Sequence, residues 1–173
     1  MFDSHVCVGE YLLYGPTPYE EVLALAAKLR ESARRSGVLR AVAFATALRG
    51  EAALLSGDLT LADMELTEAA ELHHDIGSTA VEAHSLQRLA EVRLAQGNRA
   101  EAQQLLRRAL PLARWSATAL HLLQRVYGTM IRAAADVETA RAVVDQAMST
   151  VGQEDACPFC SIMLAVPAAI ACA

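Results

Sequence analysis

Lysine is almost missing from this chain, with Lys28 alone, and aromatic residues make up only 5% of it. The 15 basic residues are spread along the chain against 20 acidic ones, a formal charge of −5. A polyphosphate backbone is held by clustered positive charge, so direct nucleic-acid binding is not expected. No GxxxxGK[ST] or GxGxxG run is present to cradle phosphate, no GxSxG elbow to raise a nucleophile, and no HExxH to hold zinc. With none of these, no cofactor and no enzymatic activity are expected. A basic stretch followed by an apolar core and a small-residue cleavage site is also missing, which makes the cytoplasm the expected compartment. The most apolar run, residues 161–173, is shorter than the ~20 residues a membrane helix requires and contains Pro167. It reads as a buried helix, and no membrane partner is expected. The four cysteines, Cys7, Cys157, Cys160 and Cys172, stand at the two ends and read as reduced thiols rather than a disulfide framework.

Alanine and leucine dominate instead, within a hydrophobic fraction of 54% over 173 residues. That length suits one buried core, and alanine carries no side-chain entropy cost in a helix. The chain is therefore expected to be all-α. It also repeats. Leu86, Leu89, Ala90 and Leu94 keep a helical period that breaks at Gly97 and resumes through Ala102, Leu106 and Ala109. The same layout precedes it with Gly50, Gly57, Ala62, Leu66 and Ala69, and follows it with Gly128, Ala140, Val144 and Ala147. Ala62, Ala102 and Ala140 take the same place in successive units, a period of roughly 40 residues, within the range of helix-pair repeats. Small residues recur in this way where two helices of a hairpin must approach closely.

The pattern predicts about eight or nine helices, near residues 6–13, 19–36, 39–56, 59–76, 78–96, 99–115, 118–134, 137–151 and 158–171. Gly37 and Gly77 are expected as C-terminal caps, and Asp58, Asn98, Asp136 and Ser78 as N-terminal ones. Glu65, Glu68 and Glu71 recur at helical spacing and read as one solvated face. Units of roughly 1–37, 38–77, 78–116 and 117–152, with a partial one over 153–173, form a single domain. The last helix has no successor, so the chain is expected to be a piece of a larger protein. Its apolar residues, Ile162, Met163, Leu164, Val166 and Ile170, exceed what one buried face can use, and self-association through this helix is expected.

A small residue, a glycine near the turn, then alanine, a large apolar residue and alanine in the second helix resembles the tetratricopeptide repeat, best over residues 86–109. The period is longer than that family's usual length of about 34 residues. The aromatic that begins its first helix and the proline that closes its second are missing here. The resemblance implies a right-handed superhelix of stacked antiparallel helix pairs, an α-solenoid serving as a protein-interaction scaffold. The alanine- and arginine-rich repeats are similar to those of large actinobacterial ATP-binding transcriptional regulators of the LuxR and SARP type, which implies a sensing or relaying role inside such a parent. In that family the first helix of each pair lines the concave groove. Carried over, these positions are Phe44, Ala47, Glu51 and Leu54; His84, Gln87, Glu91 and Leu94; and Leu122, Arg125, Thr129 and Arg132. Glutamates in the first two units and arginines in the third would polarise the groove along its length for a peptide, a neighbouring domain or an identical subunit.

Two motifs carry other chemistry. Cys157-Pro158-Phe159-Cys160 at a helix start is the pattern of a thiol redox centre or half of a metal site, against which stands packing of two small apolar side chains. His73-His74-Asp75 places neighbours about 100° apart on a helix, too far round to share an ion, and reads as an exposed helix end. A helix-turn-helix DNA-binding domain is the remaining alternative, disfavoured by the negative charge.

Overall fold

The computed structural model describes residues 9–116, 119–151 and 158–173, and every regular element among them is an α-helix. Residues 9–14 form the described part of α1. It is followed by α2 (Tyr19–Arg35), α3 (Leu39–Ser56), α4 (Leu59–Asp75), α5 (Thr79–Ala95), α6 (Arg99–Arg114), α7 (Ala119–Arg132), α8 (Val137–Val151) and α9 (Pro158–Cys172). Each helix from α2 to α7 packs on its successor, as α8 does on α9, and α3, α5, α7 and α9 also touch one another in sequence. This is the arrangement of a helical-repeat array: odd-numbered helices form an inner layer, even-numbered helices an outer one. No described helix is long and apolar enough to cross a membrane.

One turn is used four times. Gly37, Gly57, Gly77 and Gly97 are evenly spaced and all have positive φ, between 67° and 89°. After α4, the Ser78 amide donates to the His73 carbonyl at 2.8 Å and the Gly77 amide to the His74 carbonyl at 3.0 Å. The same pair of bonds closes α2, α3 and α5, which satisfies carbonyls that a helix end leaves unpaired. Glycine is needed because a side chain at this left-handed position costs roughly 1–2 kcal/mol. Asp58 and Asp136 cap as expected, their carboxylates accepting from the Leu61 amide at 3.0 Å and the Thr139 amide at 2.7 Å. Ser78 and Asn98 make no side-chain cap; the Ser78 hydroxyl instead accepts from Arg40 at 2.6 Å.

The outer helices bury one stripe each. Ala62, Ala102 and Ala140 are buried, as are Ala69, Ala109 and Ala147. Between and beyond them lie Leu66, Leu106 and Val144, then His73, Ala113 and Val151. The stripe also runs back into α2 as Val22, Ala26 and Ala33. Of the inner helices, α3, α5 and α7 are buried on both sides and take short residues where neighbours cross. A Cβ on Gly50 would stand 2.7 Å from the Leu66 side chain, and one on Gly128 would overlap the Met163 carbonyl oxygen of α9.

The expected solvated face of α4 is not one. Glu65 is 1% exposed, held by Arg30 at 2.7 Å and by Arg49, so only Glu71 of that row is fully exposed. The histidine pair is corrected as well: His74 is at the surface, but His73 faces the core at 3% exposure because it falls on the buried stripe.

Candidate functional site

Double-sided burial forces the inner helices to neutralise the polar residues they carry, and α5 does so around Arg88. This side chain is 3% exposed. Its Nε donates to Glu51 Oε2 of α3 at 2.9 Å, its Nη1 to Glu91 Oε2 at 2.6 Å, and its Nη2 to the Tyr14 hydroxyl at 3.2 Å. Glu91 in turn accepts from Arg132 of α7 at 2.7 Å. Burial opposes a charged guanidinium, yet Glu91 and Glu51 hold Arg88 in its charged form well above the ordinary arginine range. Burial raises the Tyr14 hydroxyl, with Arg88 opposing. Glu10 of α1 forms an ion pair with Arg125 of α7. The charge chain thus ties α1 and α3 to α5, and α5 to α7, and α1 reaches across the inner face to α7 itself. A second tie joins Gln87 to Thr129, 2.8 Å apart.

The carried-over groove positions therefore sit differently from a row of side chains open to a ligand. Glu51, His84, Gln87, Arg125, Ala47, Leu122 and Thr129 are buried; Phe44, Leu54, Glu91 and Leu94 are half-buried; Arg132 alone is exposed. Glu51 and Glu91 pair with arginines of α5 and α7, and Arg125 with a glutamate of α1, so the charges cancel locally instead of polarising the groove along its length. The set divides between two concavities. Phe44, Ala47, Glu51 and His84 line a cavity of about 290 Å³ between α1, α3, the end of α4 and the start of α5. Gln87, Glu91, Arg125, Thr129 and Arg132 line a cleft of about 410 Å³ whose far wall is α9.

That far wall is apolar. Ile162, Val166 and Ile170 are 58%, 53% and 73% exposed and, four residues apart, follow one stripe. Met163 and Pro167 continue the wall into the cleft, while Cys160 and Leu164 bury the opposite side of the helix in the array. From Pro158 to Cys172 there is no charged residue. Of the cysteine motif, Cys157 lies outside the described residues, as does Cys7, and Cys160 is buried. No group of three metal-ligating side chains occurs among the described residues.

Reading by type missed Arg88, Glu10, Tyr14 and His73. The signal for Arg88 was slight: it stands among Leu86, Leu89 and Val92, but Gln87, Glu91 and Arg93 of the same helix suit a solvated side equally well.

Fold and site together define an all-α helical-repeat array whose inner charges are paired and whose last helix presents an uncharged apolar edge. No family model, no curated protein and no solved structure matches the chain.

Proposed function

We propose that this chain is a protein-interaction scaffold, and that its first partner is a second copy docked on the exposed stripe of α9. The single observation that carries this is the symmetry of the stripe. Ile162, Val166 and Ile170 read the same in both directions about Val166. Two such helices laid antiparallel on a two-fold axis through Val166 set each Ile162 against its partner's Ile170. A two-fold interface requires that kind of self-complementary patch, and the absence of charge along α9 leaves nothing to repel. Fully burying an isoleucine or valine contributes about 1.5–3 kcal/mol. The exposed halves of three such side chains on each of two copies then contribute roughly 5–9 kcal/mol, comparable with the cost of association. The surplus is at most about 5 kcal/mol, so the dimer is concentration-dependent, with a dissociation constant of roughly 0.2 mM or weaker.

The cleft beside the stripe, with Glu91 and Arg132 on its polar rim, extends the same surface for a partner helix or peptide. The resemblance of the repeats to the arrays of large ATP-binding transcriptional regulators supports placing this role inside such a regulator, as the part that senses or relays.

Light scattering across protein concentration tests the interface. The wild-type chain should approach twice its 18.5 kDa protomer mass. Val166→Asp, which sets two carboxylates face to face on the axis, should remain monomeric with unchanged helicity. A wild-type chain that stays monomeric at millimolar concentration, on the order of ten times the tightest dissociation constant this surplus allows, or a Val166→Asp dimer of undiminished affinity, contradicts the proposal.

A further inference from the structure

We propose that the cavity between α1, α3, the end of α4 and the start of α5 binds an uncharged, mostly apolar small molecule of about two fused rings that carries a hydroxyl group. It is separate from the α9 surface and does not depend on self-association.

His73 departs from the pattern of the outer helices. At the corresponding place in their stripes α2, α6 and α8 carry Ala33, Ala113 and Val151, so packing alone is served there by a small apolar residue. α4 places an imidazole instead, and neither its Nδ1 nor its Nε2 has a hydrogen-bond partner among the described residues. Burying an unsatisfied polar group costs about 1–3 kcal/mol, and such groups are few in folded proteins. His84, on the same cavity wall, has an unpartnered Nε2 as well. Among the described residues, three of four ring nitrogens in two imidazoles lining one cavity thus have no hydrogen-bond partner.

Their chemistry specifies the ligand. His84 Nδ1 lies 3.8 Å from Glu51 Oε1; a carboxylate on that side favours the proton on Nδ1 and leaves Nε2 as an acceptor. The ligand then presents a donor. His73, neutral, offers one donor and one acceptor. Burial lowers both histidines, His73 to about 4, so both are uncharged at neutral pH. The charged groups around them are already matched: Glu51 by Arg88, and Glu10 by Arg125. Arg40 is exposed and donates to Ser78. Arg40 thus keeps its charge at the solvent-exposed rim, and among the described residues no buried charge of the cavity lacks an opposite partner to call for an ionic ligand.

Size and polarity agree. Leu13, Phe44, Ala47, Leu48, Ile76 and Val81 supply apolar walls. An apolar cavity of about 150 Å³ accommodates one benzene ring, and this one measures about 290 Å³. Two fused rings fit that space, and the hydroxyl supplies the donor.

The probe is 2-naphthol, followed by its own fluorescence at pH 7, with naphthalene as the partner lacking the hydroxyl. The wild-type chain should bind 2-naphthol saturably at one site. Naphthalene should bind roughly 3- to 10-fold more weakly, the range of one net hydrogen bond. His84→Leu should remove that difference while retaining naphthalene, and Ala47→Phe, which fills the cavity, should weaken both at least tenfold. Because Ala47→Phe is a core change, the ¹⁵N shifts of the His73 and His84 imidazoles in the wild-type chain provide a reading without mutation: they should move with 2-naphthol. Absence of saturable binding, equal affinity for the two probes, unmoved imidazole shifts, or undiminished binding by a folded Ala47→Phe overturns the proposal.

Discussion

His73 shows what a single side chain can cost the fold. Burial, and then the neighbouring His84 and Arg40, lower it from 6.5 to about 4. In the unfolded chain it takes up a proton below about pH 6.5, whereas in the folded chain it does so only near pH 4. The unfolded state therefore binds more protons across that window, and stability falls as the pH drops through it. From pH 7 to pH 5 the loss assigned to this residue is roughly 2 kcal/mol. His73→Leu keeps the volume and removes the titration. Its stability, measured by urea unfolding, should fall less between pH 7 and pH 5 by about that amount, and it should exceed that of the wild type at pH 5. An identical loss in the two proteins would contradict the assignment. Nothing in the sequence marked this residue, because two adjacent histidines at a helix end suit solvent as well as core. What decides is the stripe: position 73 continues 62, 66 and 69, and its neighbour does not. Glu65 was illegible for the same reason, since an arginine from each of two other helices makes its burial tolerable.

Helices and turns were the most legible elements, because their signals are local. Alanines at 62, 102 and 140 mark crossings, and evenly spaced glycines mark turns that reuse one geometry. Asn98 makes no side-chain cap although it stands in the same turn geometry in which Asp58 does. Gly128 carries a less visible demand. Pro167 lacks the amide that would bond the Met163 carbonyl in α9, and that oxygen lies where a Cβ on Gly128 would be. Glycine in α7 and proline in α9 are thus a matched pair across one interface. Gly128→Ala forces the two helices apart, and overpacking of this kind costs about 1–3 kcal/mol. The expected outcome is faster amide exchange in α9 than in α3 or α4 of the same protein. Uniform exchange across the variant would show that the contact is slack.

Across the whole molecule, the repeating pairs were visible in the sequence while the closure of their inner face was not. Offsets between small residues report neighbours in the stack, but the pairing of Glu10 with Arg125 joins distant parts of the chain and leaves no periodic trace. The expected groove positions lie on α3, α5 and α7, and most are buried, since α1 lies against these helices and the charges meet each other first. The excess of large apolar residues in α9, on which the proposed interface rests, was legible by count alone.

Hydrogen exchange followed as a function of protein concentration tests that surface most directly, because it locates the contact as well as detecting it. Protection should rise with concentration in α9 around Val166, and in the adjoining α7 rim of the cleft, while α2 to α4 exchange at a constant rate. Protection in α9 that is independent of concentration, or a concentration-dependent gain confined to the exposed Leu25 and Leu29 of α2, would contradict it.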